Sequence, residues 1–401
     1  MSKPVVIVGA SMGGLRTAES LRRFGYAGEI VAIGDEPYAP YNRPPLSKEV
    51  LAGEEVSHAT VAFPQRPATE DVVWKLGKKV ISADLDANTV TIDGGEKVEY
   101  SHLVIATGLR PKRQTYPNDI EKGRHVIRSL DDAIALRAEL KPGAKVVVLG
   151  AGFIGCETAA TAKKLGCDVT IVAPGALPIK RPLGEVFAAE VKRRQEAQGV
   201  KFLMETAVDD LVGTNRVTAV KLGNGEELAC EVFIEAIGSN SNVEWLDGND
   251  IINTDGVLCD STLRAVKESG EVWQNVFVVG DVAKFPNPIF DTHARRVEHW
   301  NIPTECAKHV GQLIAVMKGA EGSVDDLLAK PFKPIPSFWS DQFDMHILAF
   351  GLLGLADNVE LVQGEIDGDC VFEYRRHGEL VGVAGIGLRS VVQGYRKEFE
   401  R

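Results

Sequence analysis

The chain has 401 residues, 44% of them hydrophobic and 25% charged, a length that suits two or three soluble globular domains. Its net charge of −11, with no long basic stripe to offset it, argues against nucleic acid as the main partner, and no apolar run reaches the roughly 18–20 residues that span a bilayer. The six cysteines (Cys156, Cys167, Cys230, Cys259, Cys306 and Cys370) contain no CxxC and the histidines show no metal spacing, so free thiols, a reducing cytoplasm and no metal site are expected. Met1-Ser2-Lys3-Pro4 enters the first strand at once and leaves no room for a signal peptide.

Val5-Val6-Ile7-Val8 reads as a buried strand, followed by Gly9-Ala10-Ser11-Met12-Gly13-Gly14 and a helix carrying Leu15, Ala18 and Leu21. Strand, glycine turn and helix form a dinucleotide-binding arrangement: the backbone comes close to a pyrophosphate, and the helix N-terminus offers its free N–H groups. Ser11 stands where the middle glycine would sit, and its hydroxyl can donate to a phosphate. The next strand, 29–33, ends at Gly34-Asp35-Glu36, and Asp35 is the first acid placed to hold a ribose hydroxyl. Pro44 and Pro45 stiffen the entry to a short helix, from which Arg43 and Lys48 project as surface cations or as anion ligands. Residues 80–84 and 89–92 alternate and turn through Asp93-Gly94-Gly95 into 98–100, a small inserted antiparallel sheet. His102 to Gly108 returns to the parallel sheet, and its Ala106-Thr107-Gly108 end allows close backbone approach to a ligand.

A proline- and lysine-rich linker at 110–117 marks a domain crossing, and Ser129 with Asp132 caps a helix over 131–140. Val146 to Leu149 then runs into Gly150-Ala151-Gly152-Phe153-Ile154-Gly155, and a helix continues through Ala159, Ala162 and Leu165. This is a full GxGxxG with the strand before it and the helix after it. The following strand, 168–172, ends at Ala173-Pro174-Gly175, where an acid is expected; Lys180 and Arg181 follow within reach of a phosphate, so NADPH stays open beside NADH. An amphipathic helix over 183–198 and a hairpin at Gly223-Asn224-Gly225 lead to the strand ending at Gly238, which serves the second turn as 103–108 serves the first. The chain therefore holds a duplicated dinucleotide-binding unit, one copy inserted in the other. Val276 to Asp281 is a buried strand ending in Gly280-Asp281 before a helix, and residues 295–300 open a helical pattern that runs to about Met317. From Lys330 onward, Phe338-Trp339-Ser340-Asp341-Gln342, short strands at 346–350, 370–375 and 380–383 and a terminal helix read as a separate α+β domain. The expected division is 1–111 with 239–322, then 112–238, then 323–401.

Two glycine turns, an Ala-Thr-Gly strand between them and a late Gly-Asp strand describe a two-dinucleotide flavoprotein. Over nearly its whole length the sequence resembles the FAD-dependent ferredoxin reductases of bacterial oxygenase systems, the group of putidaredoxin reductase and the aromatic-ring dioxygenase reductases. The most specific pieces are Arg43-Pro44-Pro45-Leu46-Ser47-Lys48, Gly280-Asp281-Val282-Ala283, Arg296-Val297-Glu298-His299-Trp300 and Phe338-Trp339-Ser340-Asp341-Gln342. The resemblance implies an α/β fold of two Rossmann-like, glutathione-reductase-like domains, one inserted in the other, with a C-terminal α+β domain. It implies FAD on Gly9, Ser11, Gly13 and Gly14, with Gly13 at the pyrophosphate. Asp35 would then hold the adenosine ribose and Val80 the adenine through its backbone. Arg43, Ala106, Thr107, Gly108, Arg128, Gly280, Asp281 and Trp300 complete the implied flavin site, Trp300 at the ring edge. NADH would occupy Gly150, Gly152, Phe153, Ile154 and Gly155, with Glu157 near the nicotinamide and Gly238 near the cofactor. The implied activity moves a hydride from NADH onto FAD and passes electrons one at a time to a [2Fe–2S] ferredoxin, plant-type or Rieske-type, that feeds an oxygenase. Lys48 would lie beside the flavin and stabilise negative charge on it; a buried lysine needs a partner, and Glu157 is the expected one across the domain interface. Lys48 and Glu157 are thus the expected catalytic pair.

Two relatives of this fold are disfavoured by the residues. A disulfide reductase needs a redox cysteine pair after the first glycine turn, and no cysteine precedes Cys156. A peroxide- or oxygen-reducing enzyme would use a cysteine near position 42, where this chain has Asn42. The alternative that stays open is an FAD- and NADH-binding redox sensor that works through protein contacts, without a fast ferredoxin acceptor. Trp339 is expected in the core, and Arg295, Arg296, Arg375 and Arg376 are either contacts for an acidic partner or solvated charges.

Overall fold

The computed structural model describes residues 3–64 and 66–400; the expected direct run of Met1 and Ser2 into the first strand lies outside the described residues. By contacts the chain divides into two units. One comprises Met1–Asn42, Ala62–Arg110 and Asn240–Pro336, and the other Arg43–Val61, Pro111–Ser239 and Ser337–Arg401. Residues 43–61 and 337–401 therefore pack with the segment that carries the second glycine turn.

The first unit is built on a six-stranded sheet in the order Arg264–Val266, Val272–Val278, His102–Ile105, Val5–Val8, Ile30–Gly34, Val73–Leu76. Its strands run parallel except at the Arg264–Val266 edge. All four residues of Val5–Val8 are buried, as an apolar run covered on both faces requires. The helix Met12–Arg23 buries Leu15, Ala18 and Leu21, the stripe its spacing predicts. It crosses the helix Ile302–Met317 so closely that a Cβ on Gly311 would lie 2.5 Å from that of Ser20. The small antiparallel sheet forms from Val80–Asp84, Thr89–Ile92 and Lys97–Glu99.

Two expectations for this unit are corrected. Gly280–Val282 is a single 3-10 turn that leads into the strand Ala283–Asn287, where a helix is expected. The helical pattern read from residue 295 begins only at Ile302. Arg295 and Arg296 sit in the strand Asp291–Arg296, paired antiparallel with Phe285 and Lys284. Pro303 decides this boundary: it is tolerated in the first helical turn, but a helix starting at 295 would place it in the interior, without its N–H and against a carbonyl.

The second unit carries a five-stranded parallel sheet in the order Lys201–Met204, Asp168–Ala173, Lys145–Leu149, Val232–Glu235, Arg124–His125. Helix Leu130–Glu139 opens with a complete capping box between Ser129 and Asp132. The helix expected over 183–198 is two pieces, Lys180–Leu183 and Glu185–Ala197, separated at Gly184. A three-stranded hairpin sheet, Val208–Gly213, Val217–Leu222 and Glu227–Ala229, closes a core with Tyr116, Val147, Val172 and Phe233. The remaining sheet runs in the order Ser337–Gln342, Met345–Gly351, Glu379–Ile386, Cys370–Arg376, Asn358–Gly364. Trp339, expected in the core, is only half-buried. All six cysteines are free and buried. Among the described residues no helix is long and apolar enough to cross a membrane.

Candidate functional site

The two glycine turns have the same construction. Gly9 has φ +119° and a Cβ there would come 2.1 Å from the Ala106 carbonyl oxygen; Gly150 has φ +109° and would meet the Ala236 carbonyl oxygen at 2.3 Å. Each turn is thus pressed against the Ala-containing end of its neighbouring strand, and only glycine fits. Neither helix that follows closes its first turn with a side chain. Neither Met12–Arg23, with Ser11 at its N-cap position, nor Phe153–Lys164, with Gly152 there, has a side-chain cap bond or an acid in its first turn. Helix Leu130–Glu139, by contrast, satisfies its own start with Ser129 and Asp132. At Gly152 an added Cβ would find nothing within 4 Å, and the same holds at Gly238. An open, anion-attracting helix start beside a glycine cradle fits a dinucleotide pyrophosphate in both units.

In the first unit lie Gly9, Ser11, Gly13, Gly14, Asp35, Val80, Ala106, Thr107, Gly108, Gly280, Asp281 and Trp300. Asp35 follows the strand Ile30–Gly34, exposed and without a partner among the described residues, while Glu36 is engaged by the Tyr41 hydroxyl. Asn242, which the sequence does not single out, fixes the Ala106–Gly108 end: Thr107 donates to its carbonyl at 2.7 Å and its amide donates back to the Thr107 carbonyl at 3.0 Å. Trp300 is 39% exposed, and its indole N–H donates to Asn42 at 3.0 Å.

In the second unit lie Arg43, Lys48, Arg128, Gly150, Gly152, Phe153, Ile154, Gly155, Glu157 and Gly238. Arg43 and Arg128 are brought together, the Arg43 guanidinium donating to the Arg128 carbonyl at 2.8 Å. Ala173 ends its strand in register with Met204, and Glu205 follows. Its N–H donates to the Gly175 carbonyl at 3.2 Å, and Thr206 N–H to that of Ala173 at 3.1 Å. Glu205 has φ +54° and is exposed, and its carboxylate has no partner among the described residues. The strand end beside Ala173 therefore carries an acid, although Ala173 does not.

The most developed polar cluster of the second unit surrounds Glu157. Its side chain is 2% exposed and that of Lys48 10%, and they pair at 2.7 Å. The pairing is as expected, but both residues belong to one unit, so it is not a contact between two. Residues 44–47 form a 3-10 turn with Pro44 and Pro45 at its start, which ends at Lys48 and lets Nζ also donate to the Pro44 carbonyl at 3.2 Å. Glu157 lies on the buried face of helix Phe153–Lys164. Its Oε2 accepts from Lys48 and, at 2.7 Å, from the Ser47 hydroxyl; its Oε1 accepts from the Ser340 hydroxyl at 2.6 Å. Thr161, one turn on, donates to the Ser47 carbonyl at 2.8 Å and fixes the loop against the helix. A buried carboxylate with three donors, one of them cationic, meets the condition under which a buried charge is tolerated. The Cys156 thiol next to it is pushed up by burial and then by the Glu157 charge, so it stays neutral. Ser47, Ser340, Gln342 and Gln195, which complete this cluster, are absent from the expected site; the one sequence signal for two of them is the period of two in Phe338 to Gln342, which puts Ser340 and Gln342 on one strand face.

The family model described as pyridine nucleotide-disulphide oxidoreductase matches residues 3–305. The chain is 31% identical to the ferredoxin–NAD(+) reductase component of the p-cumate 2,3-dioxygenase system of Pseudomonas putida, over 95% of this chain and 89% of that protein. It is 33% identical to the corresponding component of the anthranilate 1,2-dioxygenase system of Burkholderia cepacia, over 98% of this chain and 93% of that protein. Among solved structures it is similar to the covalent putidaredoxin reductase–putidaredoxin complex, with a TM-score of 0.89, 25% identity and coverage of 99% of this chain and 93% of that one.

Proposed function

The chain belongs to the pyridine nucleotide-disulphide oxidoreductase family, and we propose that within it this protein is an FAD-dependent NADH–ferredoxin reductase whose acceptor is a [2Fe–2S] ferredoxin serving an oxygenase. The observation that carries this reading is the pair of uncapped helix starts behind matched glycine turns, one per dinucleotide, in a chain with no cysteine before Cys156 to act as a disulfide relay. Bound FAD supplies the conversion of a two-electron hydride into single electrons. The residues 9–14 and 106–108, Asp35, Gly280 and Asp281 would hold it, and residues 150–155 with Gly238 would hold the nicotinamide nucleotide. Arg43 and Arg128 are offered as phosphate contacts, Val80 as the adenine contact and Trp300 as the ring-edge residue.

Lys48 acts by charge: an ammonium fixed by Pro44 and Glu157 stabilises negative charge that develops nearby without having to reorganise. Glu157 aims it. Glu205 favours NADH, because a carboxylate at this strand end accepts from a ribose 2′-hydroxyl and repels a 2′-phosphate, while Lys180 is already paired with Glu185. Six buried free thiols suit a reducing cytoplasm. The deciding measurement is NADH- and NADPH-driven reduction of purified plant-type and Rieske-type ferredoxins by the FAD-loaded protein. Rapid turnover with NADH through one class is expected; reduction of FAD without turnover through either class overturns the reading.

A further inference from the structure

A chain of hydrogen bonds runs away from Glu157 through buried side chains of two other elements. Ser340 donates to Glu157 at 2.6 Å, Gln342 Nε2 donates to the Ser340 hydroxyl oxygen at 3.0 Å, and Gln195 Nε2 donates to Gln342 Oε1 at 2.7 Å. The far end is the Cys156 backbone carbonyl, which accepts from the same Gln195 Nε2 at 3.3 Å. Ser340, Gln342 and Gln195 are all fully buried, so no bulk water can substitute for a link.

A carbonyl oxygen can only accept. The Gln195 atom that faces Cys156 must therefore be the amide nitrogen. Its second proton then faces Gln342, which must present its oxygen. Gln342 consequently turns its nitrogen to Ser340, and Ser340, already accepting, sends its own proton to Glu157. One backbone carbonyl thus sets the direction of every bond, and the last bond can only donate to Glu157. Reversing any member places two acceptors or two donors face to face in a dry site, at the cost of an unsatisfied buried group. Resting on the ferredoxin-reductase reading, we propose that Gln195, Gln342 and Ser340 are positioning residues that hold Glu157 as a pure acceptor in one orientation, and through it hold the Lys48 ammonium where hydride transfer uses it.

Lys48 is the titratable group paired with Glu157, and the neighbouring Cys156 thiol, directed at the Ala151 carbonyl, feels its charge. On the elements packed around it, Glu49 is exposed, Asp341 is bonded to His346, and Glu190 is bonded to Arg193 and Arg194. None of these offers Glu157 a substitute donor.

The test has two arms, each run on the full chain. In the first, the infrared carboxylate stretch of Glu157 is isolated in protein without cofactor as wild type minus Glu157→Gln. Gln342→Met, which keeps the volume but cannot donate, and Ser340→Ala should both move this band, and Ser340→Thr should restore it. In the second, pre-steady-state flavin reduction by NADH is followed in FAD-loaded protein. Gln342→Met and Gln195→Met should slow the limiting rate roughly tenfold, the size of one hydrogen bond to a charged group, with the NADH dissociation constant unchanged. Gln195→Met, on a different helix, keeps the test alive if a strand variant fails to fold, and thermal melts identify such failure. Folded Gln342→Met and Gln195→Met proteins with the wild-type band and rate overturn the proposal. A wild type that accepts no hydride from NADH overturns the functional reading instead and leaves the infrared arm standing.

Discussion

At Gly155 an added Cβ would come within 2.1 Å of the Gly150 carbonyl oxygen, whereas at Gly152 it would meet nothing within 4 Å. The two glycines of one motif therefore differ: one is held by close packing against backbone, and the other borders open space, where the proposed function puts the nucleotide. Gly155→Ala is expected to cost about 1–3 kcal/mol in chemical denaturation, the usual penalty for overpacking against backbone. Gly152→Ala is expected to denature at the wild-type midpoint and to weaken NADH binding about tenfold, read by titration calorimetry. Equal destabilisation by both would remove the distinction. The sequence motif names both glycines and cannot separate these roles, because the contact that separates them is made by residues brought in by folding. Glu157 is a parallel case. Its pairing with Lys48 was legible as a need of a buried cation, but Ser47 and Ser340 reach it from 110 and 183 residues away in sequence, and no local pattern reports that.

Elements with their own periodicity were legible, and elements defined by their neighbours were not. The buried strands Val5–Val8 and Lys145–Leu149 and the capped helix Leu130–Glu139 follow from apolar runs and from a capping box. The strand Asp291–Arg296 has no apolar alternation and exists because Ala283–Asn287 pairs with it. The strand Asn358–Gly364, exposed at every residue, escapes pattern reading for the same reason. Strand order also hides the acid proposed above to read the coenzyme: Glu205 comes beside the Ala173 strand end only because Asp168–Ala173 and Lys201–Met204 pair in parallel. Glu205→Ala is expected to narrow the ratio of kcat/KM for NADH over NADPH about tenfold, in keeping with the loss of one charge-assisted contact. An unchanged ratio would assign coenzyme choice elsewhere.

At the scale of the whole molecule, stability is set to fall in acid by buried imidazoles outside the two glycine turns. Burial, with the Lys318 ammonium adding to it, pulls the His102 imidazole from the ordinary 6.5 to about 4, and burial alone does the same to His299. Between pH 6.5 and 4 the unfolded chain binds protons at these positions that the folded chain refuses. Folding stability therefore rises with pH across that window and is lost as pH falls through it. The urea midpoint should be lower at pH 5 than at pH 7, and His102→Gln should flatten the difference; a slope that His102→Gln leaves untouched would place the acid sensitivity in other groups.

The contrast between one self-capped helix and two uncapped ones has a thermodynamic side. In helix Leu130–Glu139 the side chains that close the N-terminus are covalently part of the chain, so its start is equally satisfied at any ligand concentration. Met12–Arg23 and Phe153–Lys164 have no side-chain cap bond, and in the proposed function their cap would be a diffusible molecule, which makes helix stability a function of its chemical potential. A nucleotide at 100 times its dissociation constant adds about 2.7 kcal/mol to the folded state. Newly made chains in a cofactor-poor cell would therefore be the ones most exposed to unfolding and proteolysis, and supply of the two nucleotides would set how much of this protein persists.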